Sequence, residues 1–269
     1  MDQHSSDIVD YYTQRYREDQ RLTARPQARL EWMRTTQLLR DLLPGPGARV
    51  LDIGGGTGEY ARALVSAGYQ VRLVDLVPSH VAQARDGHPP VEAQVGDARA
   101  LPDADNGYDA ALLLGPLYHL VRRADRLQAL REAVRVTRPG GLVVAAVISR
   151  FAGPLDFAAT GRLDERLLDE ARALLSDGVN DPRIGFTHAY FHRVEEITDE
   201  CAAAGLTDVV VHGVEGPAWT AAEAAAAANG PAHDAVFAAA LDLARLYSSE
   251  PALISASAHL LAVGRVPTR

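Results

Sequence analysis

The sequence predicts an α/β protein built on one doubly wound, mostly parallel sheet of seven strands, roofed by helical insertions. Three observations carry this. Short β-branched apolar runs alternate with amphipathic helical patterns from Ala48 onward. Several of those runs, such as "YDAALLLG", are apolar throughout, as strands buried on both faces are. A glycine-rich turn, "GGGTG", sits between the first such run and the helix after it.

The elements follow in order. Two helical stretches, "IVDYYTQRYREDQRL" and "ARLEWMRTTQLLRDLL", come first, and "PGPG" (Pro44 to Gly47) closes them. Residues 1–47 are therefore expected to form an N-terminal helical lid. The span 48–149 alternates strand and helix: "ARVLDIG", "GEYARALVSAG" with its stop at Gly68, "YQVRLVDL", then "PSHVAQARDG" with Pro78 in the first turn. "VEAQVGDA", "YDAALLLG", a helix expected to run up to Pro139, and "LVVAAVIS" complete it. Residues 150–192 hold a helix, "LDERLLDEARALLSDG", and no expected strand, so they read as a cap insertion. The core resumes over 193–269 with a helix, "TDVVVHGVEG" and "SAHLLAVGRV". A second helical insertion, at about 217–256, interrupts it.

Composition narrows the chemistry. The 269 residues carry a net charge of −8, which disfavours a broad nucleic-acid or anionic-membrane surface. No apolar run is long enough to span a bilayer, and "MDQHSSDIVDYY" lacks the pattern of a secretory leader, so a cytoplasmic protein is expected. The single cysteine, Cys201, excludes intramolecular disulfides and cysteine-rich metal sites. All 27 basic residues are arginine, so there is no lysine Schiff base and no phosphate-binding P-loop lysine. Arginine in place of lysine, with abundant alanine, glycine and valine, is also the coding signature of a GC-rich bacterial genome.

The glycine turn admits three ligand classes. A P-loop fails for want of lysine. A dinucleotide fingerprint, G-x-G-x-x-G, finds Gly54 and Gly56 but has Glu59 in its third slot, where a carboxylate would oppose a pyrophosphate. Asp52 lies inside the strand, two residues before Gly54, and suits a cationic ligand. Asp75 closes the second strand, where an acid can accept ribose hydroxyls, and Asp97 closes the third, within reach of an adenine amino group. The ligand that fits is an adenosine bearing an ammonium and a sulfonium: S-adenosylmethionine.

"VLDIGGGTGEYARAL", "VRLVDL", "VGDARALP", "YDAALLLGPLYHL" and "LREAVRVTRPGGLVVAAVIS" resemble, in order, the motifs of class I S-adenosylmethionine-dependent methyltransferases. The resemblance is greatest to the small-molecule branch that includes the ubiquinone and menaquinone enzymes, and it spans roughly Tyr11 to Ile148. It implies a Rossmann-like sheet whose last strand is antiparallel. It also implies that Asp52, Gly54 and Gly56 meet the methionine part, Asp75 and Leu76 the ribose, Asp97 and Ala98 the adenine, and Leu114 and Gly115 the methyl donor. Tyr11 and Tyr16 of the N-terminal helices are candidates to cover the cofactor.

Methyl transfer from a sulfonium is an in-line displacement, so alignment supplies much of the rate and a base is needed only for an acceptor that must lose a proton. His119, just past the fourth strand, is the candidate base, with Tyr118 beside it; a packing role is the competing reading of both. Tyr12, His188, Tyr190, His192 and Trp219 are candidates for lining the acceptor site. His188 and His192 lie four apart, but no third ligand accompanies them and no metal site is expected. The remaining histidines read as surface or packing residues.

The expected function is methyl transfer to an oxygen, or a nitrogen, of a small molecule, with secondary metabolism a fitting context for an enclosed pocket. The partner is a small-molecule acceptor, not nucleic acid or membrane, and the protein is a monomer or homodimer. Alternatives left open are a non-catalytic binder of the cofactor or its product, a methyltransferase acting on a protein or carrier-bound substrate, and, more distantly, a dehydrogenase.

Overall fold

The computed structural model describes residues 3–14, 22, 25–184 and 186–268. Seven strands form one sheet: β1 (Arg49–Ile53), β2 (Gln70–Asp75), β3 (Glu92–Val95), β4 (Tyr108–Leu113), β5 (Thr137–Ile148), β8 (Thr207–Gly213) and β9 (His259–Arg265). Their spatial order is β3-β2-β1-β4-β5-β9-β8. The pairs from β3 through β5 are parallel, and β9 runs antiparallel to both β5 and β8. The expected sheet and its reversed last strand are both present.

Period-2 burial on both faces holds the sheet between two layers. Leu51, Ile53, Leu113, Val143 and Val147 face one hydrophobic cluster, and Val50, Leu112, Val144 and Leu261 the other. Helices α3 (Glu59–Ser66), α4 (Pro78–Asp86), α6 (Arg123–Val136) and α9 (Val194–Ala203) make the crossovers. Strand order reverses between β1 and β4, which opens a crevice at their carboxyl ends, where ligands of such sheets bind.

Three groups of helices complete the fold, and Leu38 and Leu39 of the first pack against the sheet with Val50 and Leu112. The first is α1 (Gln3–Gln14) with α2 (Pro26–Leu42). The second is α7 (Ala152–Ala159) with α8 (Glu165–Asp177). The third is α10 (Trp219–Ala227) with α11 (His233–Leu246). Among the described residues no helix is long and apolar enough to cross a membrane.

Two sequence expectations are corrected. The segment 150–192 does contain strand: β6 (Val179–Asn180) and β7 (Ala189–Tyr190) form a small antiparallel hairpin, too short to leave an alternating pattern. The helix expected to reach Pro139 stops at Val136. Thr137 turns extended (φ −88, ψ 135), its hydroxyl donates to the Ala133 carbonyl, and Pro139, Gly140 and Gly141 belong to the start of β5.

Candidate cofactor site and its surroundings

The turn after β1 supplies backbone rather than side chains. Gly54, Gly56 and Gly58 have φ of +68, +56 and +88, a region L-residues avoid, and Gly58 then caps the start of α3. Gly55 is required for another reason: a Cβ there would sit 2.5 Å from Asp52 Oδ2. The chain thus folds back onto a carboxylate and lines a cavity, while the Gly54, Gly56 and Gly58 amides donate to the Val74 carbonyl, to Asp75 Oδ2 and to the Gly55 carbonyl.

That cavity brings together most of the residues expected to meet a cofactor: Asp52, Gly54, Gly56, Asp75, Leu76, Asp97, Ala98, Leu114 and Gly115 all line it. Ile8 and Tyr12 of α1 and Leu22 cover it. Tyr118 and His119 line it too, on the short helix α5 (Pro116–His119) that follows β4. Among the described residues, four carboxylates (Asp52, Glu59, Asp75, Asp97) and one guanidinium (Arg99) line it.

The carboxylates differ. Asp75 is tied into the turn: Gly56 N–H donates to Oδ2 at 2.9 Å, Val77 N–H donates to Oδ1 at 2.9 Å, and His80 Nδ1 lies 3.3 Å from Oδ1. Asp97 is engaged by Arg99, whose Nη2 donates at 2.7 Å, so its carboxylate is not aimed at the cavity alone. Asp52 has zero exposure, and neither of its oxygens has a hydrogen-bond partner. Burial, reinforced by the Asp75 charge, pushes its carboxyl up to about 7.

His119 is clamped. Tyr12 Oη lies 2.9 Å from its Nε2 and Thr187 Oγ1 lies 3.1 Å from its Nδ1, so the ring links α1 to the loop before β7. Its own loop is held from beneath by Arg126, which donates to the Leu120 and Val121 carbonyls at 2.9 and 2.7 Å. Arg126 and Glu200 form a buried ion pair, each 2% exposed.

Several expected site residues lie elsewhere. Tyr11 does not line the cavity; it packs edge-on against Tyr12, which does. Tyr16 lies outside the described residues. His188 is exposed. His192 is fully buried, with Nε2 3.4 Å from Glu200, and burial holds it below the ordinary histidine range. Tyr190 stacks under the Arg126 guanidinium at 3.8 Å and meets Arg150. None of these three lines this cavity, because the segment is strand and turn and directs Tyr190 and His192 into the Arg126–Glu200 network. Trp219 is buried, donates Nε1–H to the Ala256 carbonyl, and lines a separate cavity with Ile148, Phe157 and Phe191.

Sequence reasoning missed His80, Thr57, Tyr60 and Arg99 in the first cavity. His80 was legible in principle: it stands in the first turn of α4, five residues after Asp75, where a helix start faces the strand end.

Comparisons with known proteins agree with this geometry. Residues 50–141 match a family model described as a methyltransferase domain. An uncharacterized methyltransferase of Mycobacterium tuberculosis is 40% identical over 100 residues, 37% of this chain and 40% of that protein. A demethylmenaquinone methyltransferase of Renibacterium salmoninarum is 36% identical over 104 residues, 39% of this chain and 43% of that protein. These alignments therefore span less than half of the relatives' length. Among solved structures, an S-adenosylmethionine-dependent methyltransferase of Thermotoga maritima shares the fold at TM-score 0.62 and 20% identity, covering 98% of this chain and all of that one. The [4+2]-cyclase SpnF shares it at TM-score 0.55 and 24% identity, covering 88% of this chain and 82% of that one. On the ordered motifs, the matched domain and the sheet, this chain carries a class I S-adenosylmethionine-dependent methyltransferase domain.

Proposed function

We propose that the chain binds S-adenosylmethionine in the glycine-turn cavity and transfers its methyl group to an oxygen, or second a nitrogen, of a small molecule. The observation that carries the reading is Asp52: a fully buried carboxylate at the wall of the cavity, beside the glycine turn, whose oxygens accept no hydrogen bond among the described residues. A buried unpaired charge is costly, and a cationic ligand relieves that cost. When bound, the sulfonium supplies an already activated methyl carbon.

The chain's own residues then bind and orient. Asp52 faces the cationic side chain, and Asp75, fixed by Gly56 and Val77, offers its remaining lone pairs to ribose hydroxyls. Tyr12, joined to His119, keeps α1 over the cavity and excludes water. A small-molecule acceptor is supported by the cover that Ile8, Tyr12 and Leu22 give the cavity, and by the menaquinone-type relatives.

Calorimetry tests the reading. S-adenosylmethionine and S-adenosylhomocysteine should bind and NAD should not, and Asp75→Ala should weaken both. Tight NAD binding, or unchanged affinity in Asp75→Ala, would overturn it.

A further inference from the structure

One short segment makes the wall of the cofactor cavity on the β4 side. Leu114 ends the β4 run, Gly115 leads into α5, and Leu120 follows it; all three line the cavity with Tyr118 and His119. A helix of four residues is a single turn, too short to hold its own shape. Its place is set by what touches it. On the glycine-turn side Pro116 packs so closely that a Cβ on Gly54 would sit 2.8 Å from the proline ring. From the β6–β7 hairpin, Thr187 meets His119. The exit of the segment rests on Arg126.

Arg126 stands at the end of the first turn of α6 and is buried, an uncommon place for a guanidinium. Its donors are divided between two tasks. One edge faces Glu200 of α9: Nε donates to Oε2 at 3.0 Å and Nη2 to Oε1 at 2.7 Å. Nη1 carries two hydrogens, and it donates to the Leu120 carbonyl at 2.9 Å and to the Val121 carbonyl at 2.7 Å. The Tyr190 ring covers the guanidinium face at 3.8 Å. The planar fork thus ties a carboxylate, two consecutive carbonyls and a ring into one fixed arrangement.

Stability alone does not account for this group. A buried ion pair gives little net stability over apolar side chains of the same volume, because the cost of taking two charges out of water offsets their attraction. What apolar side chains cannot supply is a pair of donors for the Leu120 and Val121 carbonyls.

We propose that Arg126 is a positioning residue for cofactor binding: through those two carbonyls it holds α5 and Leu120 against the sulfur-bearing chain of S-adenosylmethionine. Arg126 itself does not line the cavity. The inference rests on the first cavity being the S-adenosylmethionine site. On that reading the adenosine lies towards β2 and β3, at Asp75 and Asp97, and the amino-acid chain lies towards β1 and β4, at Asp52 and Leu114. Arg126 supports the second of these ends. Loosening α5 therefore weakens the whole ligand and spares adenosine. Glu200 has a different part. It balances the charge of Arg126, and its own contacts are with Arg126, Arg123 and His192 rather than with α5.

The test measures S-adenosylhomocysteine and adenosine on the full chain by calorimetry, with urea unfolding beside it. Arg126→Met/Glu200→Leu exchanges the ion pair for apolar side chains of similar volume, which should leave stability near that of the native chain. It also removes both donors to α5. S-adenosylhomocysteine should then bind about 3- to 30-fold more weakly, and adenosine as before. Glu200→Gln does the converse. It leaves a buried guanidinium without its counter-charge, so the urea midpoint should fall. Nη1 keeps its two carbonyls, so the ratio of the two affinities should hold. Arg126→Lys keeps a charge beside Glu200, and with it the fold, but offers one nitrogen in place of three; it should lose part of the ratio. An affinity ratio that follows the carbonyl bonds and not the urea midpoint separates positioning from a purely structural role.

No binding of S-adenosylhomocysteine to the native chain would overturn the first-cavity reading. Binding with a ratio unchanged in Arg126→Lys, or in the double variant, would overturn the positioning role alone. An equal loss of both ligands in the double variant would do the same, by making the pair a structural part of the fold. A drop in the ratio for Glu200→Gln as large as that in the double variant would place the effect in the ion pair and overturn the route through the carbonyls.

Discussion

Asp52 and Glu215 are both carboxylates with zero exposure, and the fold treats them in opposite ways. Glu215 is surrounded by four donors, and its carboxyl is held below the usual range. Asp52 has no partner, and burial drives its carboxyl up to about 7. A charge that the protein satisfies internally serves structure and orients a neighbour. A charge left unsatisfied at a cavity wall marks where a ligand must supply the counter-charge.

The largest expected effect breaks the comparison at Glu215. Glu215→Ala strands Gln27, Ser257 and His259 without their acceptor in the interior and should destabilise the protein by about 3–5 kcal/mol, read from urea unfolding. Asp52→Asn removes a charge that nothing satisfies, so at pH 8 the ligand-free protein should not be destabilised at all. A comparable loss in both variants would mean that Asp52 is partnered after all.

The next effect is on binding. Asp52→Asn should weaken S-adenosylmethionine by about 1.5–3 kcal/mol, roughly 10- to 100-fold, measured by calorimetry at pH 8. The same variant thus separates stability from affinity, whereas Glu215→Ala should act chiefly on stability.

The raised Asp52 value also fixes a pH dependence. An acid whose folded pKa lies above its unfolded value of 3.8 contributes stability that is full below 3.8 and lost as pH rises through about 7. The ligand-free protein should therefore melt at lower temperature at pH 8.5 than at pH 5.5 from this group, and Asp52→Asn should flatten that difference. Binding has the opposite sign. Only ionised Asp52 attracts the cation, so affinity should fall towards tenfold per pH unit below about 7, with a proton released on binding. His192 adds a separate acid-side loss. Its folded pKa is lowered, so its stability is present above 6.5 and lost as pH falls towards the folded value. Calorimetry in buffers of different ionisation enthalpy reads the proton count directly.

The two regions also differ in how far the sequence disclosed them. The cofactor end was legible because its logic is local: strand, turn and helix follow one another, and Asp52, Gly54 and Gly56 sit within five residues. Asp75 ends β2 and Asp97 follows β3 by two residues, positions that periodicity locates. The cluster around Glu215 was not legible. Glu215 and His259 are 44 residues apart, and Gln27 comes from α2; no spacing rule joins them. His259 alone read as a packing residue, and Glu215 reaches it because β8 and β9 are antiparallel neighbours. His188 and His192 misled for the same reason. Four-residue spacing suggests a shared helix face, but this segment is a strand end, with one ring exposed and the other wholly buried.

The smallest expected effect concerns the Asp52 side of the comparison, where the cavity is covered. Tyr12 of α1 and Thr187 of the loop before β7 meet on opposite nitrogens of His119, so one imidazole ties the cover of the first cavity to that loop. Tyr12→Phe removes one hydrogen bond while keeping the ring that packs at 5.3 Å from His80 and 5.5 Å from His119. The loss should be about 0.5–1.5 kcal/mol, appearing as roughly 2- to 10-fold faster release of S-adenosylhomocysteine in stopped-flow, with little change in its association rate. Such a result fits a lid that is latched after binding. A slower association rate with unchanged release would instead make Tyr12 part of the entry path, and α1 a guide rather than a latch.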